Sequence, residues 1–230
     1  MNKSAISCQN LSLGYGKQAV IQQLNIDISS GVLLAVVGAN GAGKSTLLRS
    51  LMGELKPIKG SIQLNGFDRH DIAYLPQRTA LEQHFPMDVQ DCVAMGLWKK
   101  IGAFGFVSSS QQKQIDQVLA SVGLAEMSEE PLFNLSGGQI QRTLFARLLL
   151  QDAPVILLDE PFNSVDEQTI QDLMVFVKQW HQEGRTILAV LHDLDLVRHY
   201  FPDTLCLANG HSTLGKTTDL LEHHVRRWAA

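Results

Sequence analysis

Gly38-Ala39-Asn40-Gly41-Ala42-Gly43-Lys44-Ser45-Thr46 follows the apolar run Val32–Val37 and opens a segment of helical spacing, Lys44–Met52. A buried strand, a glycine-rich turn and a helix in that order form a cradle for phosphate groups. The glycines let backbone N–H groups approach an anion, and the helix N-terminus adds positive potential. In such a turn Gly38, Asn40, Gly41, Gly43 and Thr46 line the cradle, while Lys44 reaches the outer phosphates. The Ser45 hydroxyl is then placed to ligate a magnesium ion.

A second strand, Val155-Ile156-Leu157-Leu158-Asp159, ends in two adjacent acids, Asp159 and Glu160. Two carboxylates at the end of an apolar strand are costly unless a cation or a water molecule receives them. Asp159 is expected to hold Mg²⁺ and Glu160 to act as general base toward an attacking water.

Leu135-Ser136-Gly137-Gly138-Gln139 precedes a helical segment read as Gln139–Gln151, starting directly on the Gly-Gly turn. Its glycines and the helix N-terminus make a second anion site. That helix is about 20 Å long at 1.5 Å per residue. If it leads back toward the strand of Asp159, the pentapeptide lies far from the chain's own phosphate loop, which suggests that nucleotide is shared with another subunit.

Strand-like runs fall at Ile6–Leu13, Gln23–Ile28, Val32–Val37, Ser61–Leu64, Ile72–Leu75, Val155–Asp159, Thr186–Leu191 and Thr204–Ala208. Val32–Val37, Val155–Asp159 and Thr186–Leu191 are nearly continuous in apolar residues, as strands covered on both faces are. Between the last two, Asp166–Glu183 carries Ile170, Leu173, Met174, Val177 and Trp180 on one helical face and stops at Gly184. From about Arg78 to Leu150 the alternation breaks. Helices are expected at Asp88–Trp98 and Gln111–Val122, the latter with a capping box from Ser109 and Gln112. The fold expected is therefore α/β: a P-loop NTPase core with a mixed sheet, an N-terminal antiparallel β portion and an inserted helical lobe. One domain spans 1–230, with 1–77 and 151–230 as core and 78–150 as lobe.

Composition narrows the function classes. A chain of 230 residues with 45% hydrophobic content buries a full core. A net charge of −4 without a long basic run argues against nucleic-acid binding. No apolar stretch approaches the roughly 18 residues that cross a bilayer, and Met1–Ser4 opens into a strand pattern, not a leader. Cys8, Cys92 and Cys206 form no Cys-x-x-Cys pair and read as structural thiols of a reducing compartment. A cytoplasmic chain is expected. His211, His223 and His224 near the end lack metal-ligand spacing and read as tail residues.

In this order and over about Ile6–Ala208, the residues resemble the ATP-binding-cassette ATPases, the nucleotide-binding subunits of membrane transporters. The resemblance implies ATP and Mg²⁺ as cofactors and assigns further roles. Tyr15 matches the aromatic that stacks on adenine, although its position alone fits an ordinary strand-edge tyrosine equally well. Gln77, in Tyr-Leu-Pro-Gln, matches the glutamine that contacts Mg²⁺ and the catalytic water. Leu135–Gln139 matches the signature, whose Ser136, Gly137, Gly138 and Gln139 close on the γ-phosphate held by a partner subunit. Asp166, in Asn163-Ser-Val-Asp166, matches the D-loop at the dimer seam, and His192 the switch histidine on the γ-phosphate. Ala39 and Asn163-Ser-Val-Asp166 depart from the commoner residues without removing a ligand.

Within that family, His84–Trp98 and Glu160-Pro-Phe-Asn resemble the ATPases that drive zinc and manganese importers. The resemblance implies a second ATPase subunit, most simply identical, membrane permease subunits and, indirectly, an extracytoplasmic metal-binding protein, with the chain peripheral on the inner face of the cell membrane. Phe85, Met87, Val89 and Trp98 either line the groove that receives a helix of the permease or form the lobe's own core. The alternatives are an iron-chelate or haem importer, an exporter, and a soluble cassette ATPase working on DNA or ribosomes.

Overall fold

A computed structural model describes residues 3–16, 18–77, 87–102, 105–163, 165–208 and 210–228, excluding the side chains of 223–228. The chain divides into two compact units: Met1–Tyr74 with Pro154–Glu160 and Gln179–Ala230, and Leu75–Ala153 with Pro161–Lys178.

The first unit begins with an antiparallel sheet. Strand β1 (Ser4–Tyr15) lies between β2 (Gln18–Ser29) and β4 (Lys59–Leu64). Alternation in β2 sends Leu24, Ile26 and Ile28 inward, and an irregularity at Gln23 (φ 50°) brings Ile21 to the same face. The central sheet runs β5 (Ile72–Leu75), β6 (Val155–Asp159), β7 (Thr186–Val190), β3 (Leu33–Gly38), β8 (Asp203–Ala208) and β9 (His211–Lys216). The β6–β7, β7–β3 and β3–β8 pairs are parallel, and β8–β9 is antiparallel, so the sheet is mixed as expected. Every residue of β6 and β7 is buried.

Helix α1 (Lys44–Met52) leaves the turn after β3 and packs Leu47, Leu48 and Leu51 into the same core as Leu34, Val36, Leu157, Leu188 and Leu205. Leu157→Ala would remove a side chain with no solvent exposure from the middle of β6. We expect urea unfolding to report a loss of about 2–5 kcal/mol, the usual cost of a leucine-sized cavity.

The second unit is helical. Helix α2 (Val89–Ala94), a 3₁₀ turn (Met95–Leu97) and α3 (Trp98–Ile101) replace the single expected helix Asp88–Trp98. Asp88 caps it, accepting from the Asp91 N–H at 2.8 Å. Helix α4 (Ser109–Ser121) starts earlier than expected: the capping box is Ser108 with Gln111, one residue before the pair read from the sequence. Helix α5 (Gly137–Gln151) packs Ala146 and Leu150 against Val89, Val93, Leu97, Ile115 and Leu119.

The expected lobe, 78–150, falls largely in this unit, which also takes in Pro161–Lys178 and so most of α6 (Glu167–Gln182). Two contacts tie that segment to α5: Arg142 Nη2 to Asp172 Oδ2 at 2.5 Å and the tilted ring pair Phe145–Phe162. The fold ends with α7 (Leu194–Tyr200) and α8 (Thr217–Trp228), which with β9 were not anticipated.

Candidate functional site

Parallel sheets bind ligands outside the carboxyl ends of their strands. Here three adjacent strands, β3, β7 and β6, deliver the phosphate loop, His192 and the Asp159–Glu160 pair to that edge. Gly41 and Gly43 hold left-handed φ values of 81° and 95°, which a side chain would strain. Lys44 curls over the turn, its Nζ donating to the carbonyls of Gly38 at 2.8 Å and Ala39 at 3.0 Å. Burial pushes its pKa down, opposed by the nearby Glu160 and Asp159 carboxylates. Asn40 and Gly41 are exposed at the turn's tip, and Thr46 is buried in the first turn of α1.

Asp159 is only 2% exposed. Ser45 Oγ donates to its Oδ1 at 3.0 Å, and Tyr74 Oη donates to its Oδ2 at 3.2 Å. Burial raises the pKa of this carboxyl, while the two hydroxyl bonds and the Lys44 ammonium lower it and Glu160 raises it further. A hydroxyl beside a carboxylate, both oxygen donors at a strand end, is chemistry suited to a hard divalent cation such as Mg²⁺.

Glu160 follows with a φ of 53°, an uncommon backbone state for a residue with a side chain. Its N–H donates to Val190 O at 3.2 Å, fixing it to β7. That turn aims the carboxylate at His192, whose Nε2 lies 2.8 Å from Glu160 Oε1. Tyr15, 55% exposed at the end of β1, accepts from Arg49 Nη1 at 3.4 Å, and Arg49 is itself paired with Glu54 at 3.0 Å.

The second unit holds the other expected residues. The two glycines of the pentapeptide lie inside the first turn of α5, not before it, because Ser136 is the N-cap. Ser136 Oγ accepts from the Gln139 N–H at 3.3 Å, and Gln139 Oε1 accepts from the Ser136 N–H at 2.8 Å. Gln139 is thus a capping partner, and Gly137 and Gly138 carry N–H groups that have no acceptor within the helix. Asp166 caps α6: its carboxylate accepts from the Thr169 N–H and Oγ1, both at 2.9 Å, and these bonds hold its pKa below the usual carboxylate range. Gln77 is half-buried, three residues after Tyr74.

Of the four residues read as groove or core, Val89 is fully buried in the core of the second unit, Met87 is half-buried, and Trp98 is 61% exposed. Phe85, with His84 and Pro86, lies outside the described residues, as does Ser164 of the segment before Asp166. Sequence reading missed Tyr74 and the Arg49–Glu54 pair. Among the described residues no His, Cys, Asp and Glu cluster could hold a metal ion, and no helix is long and apolar enough to cross a membrane. The three cysteines are free and buried.

Residues 21–163 match the ABC transporter family profile. The chain is 36% identical to the zinc transport system ATP-binding protein TroB of Treponema pallidum, over 88% of this chain and 78% of the relative. It is 34% identical to the manganese transport system ATP-binding protein MntB of Bacillus subtilis, over 88% and 82%. Among solved structures, one of an ABC transporter in an inward-facing conformation aligns with a TM-score of 0.83 at 31% identity, covering 95% of this chain and 86% of that one.

Proposed function

The chain belongs to the ABC transporter family, and on that premise we propose that it is the ATP-hydrolysing subunit of an importer for zinc or manganese, working as a head-to-tail pair. As an ABC ATPase it binds ATP and couples its hydrolysis to transport. The hydrolytic reading rests on one observation: the Glu160–His192 pair at 2.8 Å lies at the same sheet edge as the Ser45–Asp159 pair at 3.0 Å. In this reading a base and its partner stand beside a cation-holding pair.

Lys44 exchanges its two carbonyl acceptors for phosphate oxygens when nucleotide enters, so the loop is held in shape beforehand by the side chain it will lend. Tyr15 offers its exposed ring to adenine. Ser45 and Asp159 would hold Mg²⁺, which would neutralise charge on the transferring phosphoryl group. Glu160 takes a proton from the attacking water, and His192 orients Glu160 and reaches the γ-phosphate. From the second copy, Ser136, Gly137 and Gly138 present a helix N-terminus to the same phosphate, with Asp166 at the seam.

Permease subunits are the remaining partners. Trp98, with exposed Met95, Phe106 and Val107, offers them an apolar surface on the second unit, and the chain sits at the cytoplasmic face of the membrane. The assignment of zinc or manganese follows the named activities of the two relatives; an extracytoplasmic metal-binding protein would be the delivering component.

Uptake in a strain lacking this gene tests the reading. Accumulation of one of the two labelled ions should fall to background and return with the intact gene but not with Asp159→Asn. Normal uptake of both ions, with loss of iron-chelate or haem uptake, would reassign the substrate.

A further inference from the structure

The half-buried Tyr74 comes from the third position of β5, the edge strand next to β6. Strand alternation puts Ile72 and Tyr74 on the same face of β5: Ile72 is buried in the core of the first unit, and Tyr74 packs against that core partly covered. The position sends the phenol toward the end of β6, where its hydroxyl donates to Asp159 Oδ2 at 3.2 Å. The other oxygen of the same carboxylate is held by Ser45 at 3.0 Å. Asp159 is therefore gripped from both sides, and the two grips differ in kind. Ser45 belongs to the phosphate loop and is itself a candidate ligand, whereas Tyr74 comes from β5, outside that loop.

An aspartate at a strand end has two soft torsions, and a cation needs one of its oxygens in a fixed place. A neutral donor on the far oxygen restricts both torsions without competing for the near one. Burial, and then the neighbouring Asp159 charge, push the Tyr74 pKa up.

We infer that Tyr74 is a positioning residue for magnesium: its hydroxyl fixes the rotamer of Asp159 so that the oxygen facing Ser45 is preset for the cation. The inference rests on the reading of Asp159 as the cation-holding acid.

The test uses the full-length chain carrying Glu160→Gln, to stop turnover, with and without Tyr74→Phe. A fluorescent ribose-labelled ATP is titrated in the absence of Mg²⁺ and across a Mg²⁺ series. Removing one such outer partner should raise the Mg²⁺ concentration for half-maximal tightening about tenfold, while affinity without Mg²⁺ stays unchanged. Superimposable Mg²⁺ curves would overturn the assignment. So would an equal loss of affinity with and without Mg²⁺, because the hydroxyl would then serve the fold or the nucleotide, not the cation. Absence of any Mg²⁺ effect in the Glu160→Gln protein itself would remove Asp159 from the cation site, and the Tyr74 role with it. An intact effect untouched by Tyr74→Phe fails the Tyr74 role alone.

Discussion

Glu160→Gln is expected to bind ATP as well as the unchanged protein, to hydrolyse it roughly 10²–10⁴-fold more slowly, and to accumulate as an ATP-bound dimer. The size of the loss follows from what the substitution removes. Glutamine is nearly isosteric, and the backbone at this position is held by the bond from its N–H to Val190 O, which the substitution leaves alone. The left-handed φ of 53° is no harder for glutamine than for glutamate. The amide oxygen of glutamine still faces His192, now as a neutral acceptor, so the 2.8 Å contact can survive. What disappears is the ability to accept a proton. Lys44, Ser45 and Asp159 are untouched, so the phosphate cradle remains. Nucleotide then stays where hydrolysis would have released it, and the closed pair persists. Quenched-flow hydrolysis together with sedimentation in Mg²⁺-ATP reads both consequences. A variant turning over ATP at the original rate would remove Glu160 from the role of base.

Much of this site is legible because its residues obey strong local rules. β6 and β7 are nearly continuous apolar runs, and β6 ends in charge, so both are visible without coordinates. The parts that escaped reading obey weaker ones. β9 is His211–Lys216, mostly exposed and without apolar alternation, and it exists because β8 supplies its hydrogen bonds. Ser136 and Gln139 do carry a capping-box spacing, but the glycine pair drew the helix start two residues too late; the reciprocal side-chain bonds outweigh glycine's poor helical propensity. The same competition moved the cap of α4 by one residue, since both Ser108 and Ser109 can cap, and the helix itself starts at Ser109, two residues before the expected Gln111. Tyr74 opens the Tyr-Leu-Pro-Gln stretch, which is read for Gln77 alone. Its role depends on β5 lying beside β6, a fact of sheet order that no spacing encodes.

Gly138→Asp should abolish hydrolysis, by about a hundredfold or more, while leaving each isolated chain able to bind ATP. Gly138 lies in the first turn of α5, and a Cβ there would stand 3.2 Å from Thr169 Oγ1 and 3.7 Å from Asp166 Oδ2. A carboxylate at this place crowds the start of α6 and sets a negative charge beside the Asp166 carboxylate. It also occupies the helix N-terminus that is to receive a phosphate, replacing an attractive field by a repulsive one. Loss of a single preorganised donor to a developing charge already costs about 10²–10³ in rate. The cradle around Lys44 belongs to the first unit and keeps its bonds to Gly38 and Ala39. The decisive form of the experiment mixes Gly138→Asp with Lys44→Ala, both carrying Glu160→Gln. If nucleotide is gripped by two copies, a mixed pair has one site with both lesions and one with neither, so ATP should drive the two variants together although neither associates by itself. If each copy encloses its own ATP, every site in the mixture is damaged and no association appears, which would sink the head-to-tail mechanism.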